Sequence, residues 1–216
     1  MQRLNLGLAT CTPAAPSPHK PHFDTIETMQ ASHLVKQTWP TIREAGFTGP
    51  VLDLACGSGR NGLYLVTQGQ RVTFADRQQD KLDQLSSGLQ TNALANYWCV
   101  DFEGPGSDPL EGLSFSAILV FRYLHRPLMP AIKRAVHPGG LVIYETYTVD
   151  QPCFGRPTNP LFLLQAGELE DIFKGWEIIH SFEGQSISES SGQLQAIAQI
   201  VARRPIKAAS KNGLLI

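Results

Sequence analysis

Carboxylates spaced around a glycine turn are the part of this sequence best suited to chemistry. Residues 51–62 read VLDLACGSGRNG, with Gly57, Gly59 and Gly62 at G-x-G-x-x-G spacing. At a strand end, such a turn brings main-chain N–H groups close to a ligand and feeds a helix N-terminus. Alone it fits a dinucleotide, another adenosine-bearing ligand or plain strand-to-helix packing. Asp53 lies in the strand just before the turn. A carboxylate there repels a pyrophosphate but suits a cationic ammonium or sulfonium. Asp76 closes VTFAD, and Asp101 closes WCVD just before Phe102. A strand-end carboxylate can accept both hydroxyls of a ribose, each charge-assisted bond contributing about 1.5–3 kcal/mol. Asp101 beside an aromatic ring suits an adenine amine and a face to lie against.

A second group follows in FRYLHR and YETYT, with Arg122, Tyr123 and His125 in the first and Glu145 and Tyr147 in the second. Arg122 either receives an anionic acceptor or is held in an ion pair with Glu145; the residues leave both open. His125 is either a general base or a histidine at a helix start. Tyr144 is expected on the opposite face of its strand, packed under a helix.

The elements that must position these residues alternate. Helical pieces at 23–46, interrupted at Pro40, precede an apolar strand at Val51–Ala55. RNGLYLVTQG reads as a helix capped by Gly69, RVTFAD as a strand, RQQDKLDQLSSGLQ as a polar helix and ANYWCVDF as a third strand. FSAILVFRYL is a strand buried on both faces, and RPLMPAIKRAVHPGG is a helix with Pro127 near its start and Gly139 past its end. LVIYETYT follows as a strand, then a long segment over 149–165 expected to act as a lid, and a short helix at Ala166–Phe173. WEIIHSFEG and QLQAIAQIVARR close the sequence as two strands joined by a polar turn. This order predicts an α/β fold, a Rossmann-like three-layer sandwich with a seven-stranded mixed sheet whose last strand is antiparallel. The expected organisation is a Pro-rich leader over 1–22, one domain over 23–205 with a helical cap at 23–48, and a tail over 206–216.

With 42% hydrophobic and 17% charged residues among 216, the chain can bury a sizeable core. The net charge of −1 supplies no field for nucleic acid or an anionic membrane. Cys11, Cys56, Cys99 and Cys153 are scattered without a C-x-x-C pair, which suits a reducing compartment. No metal site is expected. No run approaches the roughly 18 apolar residues of a membrane span, and the N-terminus lacks the apolar core of a signal peptide. A cytoplasmic protein acting on a small molecule is expected, with neither nucleic acid nor membrane as partner.

Asp53, the glycine turn, Asp76 and Asp101–Phe102 fall at the ends of three successive strands, an arrangement that resembles the class I S-adenosylmethionine-dependent methyltransferases over roughly 49–203. HPGGLVI before the fifth strand is similar as well. The resemblance implies S-adenosylmethionine as cofactor, with Ala55, Cys56, Gly57, Ser58, Gly59 and Asn61 around its methionine end. It implies Asp76 and Arg77 at the ribose, and Asp101, Phe102 and Phe121 around the rest. Ala55 stands where that family usually has glycine, and its single methyl is expected to be tolerated. Two stretches, CGSGRNGLYLVTQGQRVTFAD and NPLFLLQAGELEDIFKGWEII, resemble a narrower group, the tellurite-resistance methyltransferases. That resemblance implies a small heteroatom acceptor such as a tellurium or selenium oxyanion or a thiol, and a carboxylate oxygen is a further acceptor expected for the protein. A protein or RNA methyltransferase, a non-catalytic cofactor binder and a nicotinamide-linked oxidoreductase are the competing readings.

Overall fold

The computed structural model describes residues 30–44, 49–89, 92–104, 106 and 108–206. The leader, the start of the N-terminal cap, residues 45–48 and the end of the tail lie outside the described residues. Seven strands form one sheet: β1 (Val51–Leu54), β2 (Val72–Asp76), β3 (Ala95–Cys99), β4 (Phe115–Phe121), β5 (Val136–Tyr147), β6 (Glu177–Ile187) and β7 (Leu194–Arg203). Their spatial order is β3-β2-β1-β4-β5-β7-β6. β1 to β5 run parallel to one another, whereas β7 is antiparallel to both its neighbours, β5 and β6. The expected mixed sheet is present, and the last strand lies between β5 and β6, leaving β6 at the sheet edge.

Helices cover both faces and make the three layers. α1 (His33–Glu44), α2 (Arg60–Thr67) and α3 (Gln79–Leu89) pack Val35, Leu65 and Leu82 on one face, against Phe74, Leu119 and Ile143. α4 (Met129–Ala135) and α5 (Glu168–Ile172) pack Ile132 and Leu169 on the other, around Ile118, Val142 and Tyr144. The central strands are buried on both faces, the reason β1 and β4 read as largely apolar, with only Asp53 and Ser116 interrupting them. Among the described residues no helix is long and apolar enough to cross a membrane.

Two expectations need correction. α1 continues through Pro40 instead of breaking there. Pro40 is exposed, so the carbonyl that loses its hydrogen bond one turn earlier can be solvated. α4 ends at Ala135, and β5 already begins at Val136, ahead of His137–Gly140. A register shift between Phe115 and Ala117 absorbs the extra residues. Gly140 sits so close to β4 that an added Cβ would lie 2.6 Å from the Ser116 carbonyl oxygen.

Candidate active site

In a parallel sheet, ligands bind where the strand order reverses. Here that point lies between β1 and β4, and a cleft of about 780 Å3 opens at the carboxyl ends of the strands.

On the β1–β2–β3 side the main chain sets the geometry. Gly57, at φ +58°, donates its N–H to Asp76 Oδ2 at 2.8 Å, and Gln78 N–H donates to Oδ1 at 2.9 Å. A carboxylate has about four acceptor positions, so each oxygen of Asp76 keeps one lone pair for a ligand hydroxyl. Asp76 lines the cleft together with Arg77, Asp101 and Phe102. Asp101 is exposed and accepts the Glu103 N–H at 2.9 Å, while Phe102 is buried with its ring edge-on to Trp98 at 5.7 Å.

The glycine turn serves packing more than ligand approach. A Cβ on Gly59 would come within 2.7 Å of Leu85, and one on Gly62 would collide with Phe74 and lie 2.8 Å from Asp53 Oδ2. Only Gly57 faces open space, with Lys81 Nζ at 4.0 Å from a Cβ built there. Asp53, expected to face a cation on the ligand, is instead buried beneath α2 and accepts the Gly62 N–H at 2.9 Å. It thereby satisfies one of the free amides at the start of that helix. Burial is the main reason its carboxyl is pushed up to about 7, against the lowering effects of the Gly62 N–H and Arg60. Asn61 is also turned inward and accepts the Ser32 N–H at 2.9 Å. Ser58 is exposed and Cys56 half-buried, its thiol pushed up by burial and by Asp53 and Asp76, which keeps it a neutral thiol. Asp53, Cys56, Gly57, Ser58, Gly59 and Asn61 do not line the cleft, nor does Phe121, which packs against the core around α1 and α2.

Ala55 does line the cleft, but at φ +51°. A left-handed alanine costs about 1–2 kcal/mol relative to glycine. The cost of alanine here therefore comes from the backbone rather than from displacement of the ligand by a methyl.

On the β4–β5–β7 side, side chains set the geometry. Arg122, at φ +57°, donates its N–H to the Glu145 carbonyl at 2.8 Å and pairs through Nη2 with Glu145 Oε1 at 3.0 Å. Gln195 Oε1 accepts from the same Nη2 at 3.1 Å, and Gln199 Nε2 donates to Glu145 Oε2 at 2.5 Å. The guanidinium lies 4.4 Å from the centre of the Tyr147 ring. Of the two readings of Arg122, the ion pair with Glu145 is therefore formed. Glu145 stands behind Arg122 and off the cleft lining, while Arg122, Tyr123, Thr146 and Tyr147 line it. Arg122 Nη1 is buried without a hydrogen-bond partner, and the Tyr123 hydroxyl is buried beside Glu103. Burial and the carboxylates Glu103 and Asp101 push the Tyr123 phenol up, so it remains a donor. Tyr144 points to the opposite face, as expected, and its hydroxyl donates to the Tyr123 carbonyl at 2.8 Å. His125 sits at the head of a short 3-10 turn and does not line the cleft.

The segment over 149–165, expected to act as a lid, supplies one wall. Residues 156–159 and Phe162 complete the cleft. Their segment is pinned at its base by main-chain bonds from Leu164 N–H to Tyr147 O and from Val149 N–H to Leu164 O. Sequence reasoning missed Gln78 and Lys81, which line the cleft as well. Their position on the first turn after a strand-end aspartate was the available signal.

This strand order with a central cleft defines the class I S-adenosylmethionine-dependent methyltransferase fold. Within it, the chain belongs to the family described as tellurite resistance protein TehB, whose model matches residues 35–189. A curated relative from Haemophilus influenzae strain Rd, named "Probable S-adenosyl-L-methionine-dependent methyltransferase TehB", is 31% identical over 136 residues, 60% of this chain and 46% of that protein. The chain thus spans about half the length of the curated relatives it matches. The crystal structure of TehB from Haemophilus influenzae superposes with a TM-score of 0.57 at 22% identity, covering 77% of this chain and 62% of that one. A glycopeptide N-methyltransferase complexed with sinefungin gives a TM-score of 0.53 at 16% identity, covering 88% of this chain and 99% of that one.

Proposed function

We propose that this protein is an S-adenosylmethionine-dependent methyltransferase acting on a heteroatom of a small molecule, such as tellurium, selenium, sulfur or a carboxylate oxygen. The observation that carries the donor half is Asp76, fixed by two main-chain N–H groups with acceptor capacity left over, on one cleft with Asp101 and Phe102. S-adenosylmethionine supplies a methyl group on a positively charged sulfur, open to in-line displacement. Asp76 holds the ribose, while Asp101 and Phe102 hold the base. The protein's task is then to align the acceptor and exclude water, an effect worth about 7–11 kcal/mol in well-oriented systems.

Arg122, Tyr123 and Tyr147 form the acceptor side. Polarisable acceptors need little deprotonation at neutral pH, which agrees with a cleft that His125 does not line. We read one domain over 23–205 as the catalytic unit, working in the cytoplasm on a small molecule rather than on nucleic acid. The near-neutral charge supports this. The test is binding and release of S-adenosylhomocysteine by the purified full chain. Micromolar binding by calorimetry and product release with one class among tellurite, selenite, small thiols and small carboxylates are expected. A protein that binds no S-adenosylhomocysteine is not a methyltransferase.

A further inference from the structure

The acceptor half carries cations and rings on two walls, Arg122 and Tyr147 at the strand ends and Arg156 and Phe162 on the segment after β5. Phe162 lines the cleft yet is 47% exposed. Tyr147 faces the cleft from β5, half-buried beneath the Arg122 guanidinium. Rings held open in a cleft gain by covering an apolar surface. The cations differ from each other. Arg122 is neutralised by Glu145, but its Nη1 is buried and unpartnered. Arg156 lines the cleft and has no side-chain partner among the described residues. It is the cation of this wall that no carboxylate pairs, while Glu103 lines the cleft beside Tyr123.

The wall bearing Arg156 and Phe162 is built to hold still. Gln151 Nε2 donates to the Arg156 carbonyl at 3.0 Å, and Asn159 Oδ1 accepts the Leu161 N–H at 3.0 Å. Arg126 forks onto Glu168 at 2.6 and 2.8 Å and donates to the carbonyls of Leu161 and Leu163. Such anchoring preorganises a subsite.

We propose that the acceptor is an organic anion, a carboxylate on a ring-sized apolar body. The carboxylate lies on Arg156 and Arg122, and the body lies between Phe162 and Tyr147. This rests on the methyltransferase reading of the same cleft. A bare inorganic oxyanion engages the cations and leaves both rings uncovered; a neutral thiol does the reverse.

The experiment titrates phenylacetate, phenylacetamide and selenite into the full chain saturated with S-adenosylhomocysteine. Phenylacetate is expected to bind about tenfold or more tighter than either of the others, the effect of one charge-assisted contact. Arg156→Gln removes that preference, leaving phenylacetamide and S-adenosylhomocysteine affinities unchanged. Phe162→Ala weakens both organic probes. Equal affinities for acid and amide, selenite matching phenylacetate, or no binding of any probe to the loaded protein each overturn the proposal. Failure of S-adenosylhomocysteine itself to bind is read in the loading step and overturns the donor reading as well.

Discussion

The two halves of the cleft hold their key carboxylates in different ways. Asp76 is fixed by main-chain amides of residues near it in space, at the glycine turn and in its own loop. Glu145 is fixed by side chains from two other strand regions, Arg122 after β4 and Gln199 on β7. A carboxylate on main-chain donors tolerates changes in the surrounding side chains, because the donors are present whatever the residue. One held by side chains is only as secure as each partner. On the proposed assignment, the donor half is thus the less adaptable part, and the acceptor half the part in which substitution can change what binds.

Removing Asp76 should show the largest effect. Asp76→Ala deletes the proposed ribose acceptor and frees the Gly57 and Gln78 amides, and S-adenosylhomocysteine affinity should fall by about a hundredfold or more, read by calorimetry. Retained affinity would break the comparison at its strongest point.

Asp53 probes the same half through pH. Its carboxyl is raised from 3.8 to about 7 in the folded protein. The folded state therefore binds the proton more tightly than the unfolded one. Its contribution to stability falls as pH rises from about 4 to about 7 and is constant above that, by at most about 4 kcal/mol. Urea unfolding across that window should show this slope in the parent protein and its loss in Asp53→Asn. Parallel profiles would remove the buried-carboxylate account.

Glu145→Ala leaves Arg122 without its counter-charge and Gln199 without its acceptor. Because Arg122 is partly exposed, a loss of about 2 kcal/mol is expected, below the full cost of an orphaned buried ion. S-adenosylhomocysteine affinity should stay within about twofold if the halves are independent. A large loss of donor affinity would show that they are coupled.

Ala55→Gly relieves a left-handed alanine worth about 1–2 kcal/mol, offset by about 0.5–1 kcal/mol of added unfolded-state entropy. A gain of about 0–1.5 kcal/mol in thermal or urea unfolding is expected. His125→Ala should do least, with turnover on a polarisable acceptor changed by less than about threefold. A loss approaching that of Asp76→Ala would place His125 in the chemistry.

Much of this was legible in the chain. The strand-end positions of Asp76 and Asp101 follow from apolar runs closed by turn residues, a signal local to a few residues each. The alternation of helix and strand gave the parallel part of the sheet, and the turn between the last two strands gave their antiparallel pairing. Pro40 misled because a proline breaks a helix in general, whereas this one is exposed and its orphaned carbonyl can meet water. Asp53 misled because its position before the glycines is the same whether it faces the ligand or the helix. Gly62 decides it, since a carboxylate oxygen fills the space that a Cβ would take.

The sequence by itself determined which residues end strands, where the chain must turn and that the sheet is mixed, because those depend on local pattern and backbone freedom. Only the tertiary structure decided that β7 enters between β5 and β6. That insertion brings Gln195 and Gln199 to Arg122 and Glu145 across separations of 73 and 54 residues. It also decided that the segment bearing Arg156 and Phe162 stands as a wall of the cleft. Contacts of this kind have no local signature, because they are selected by the packing of whole layers rather than by the residues on either side.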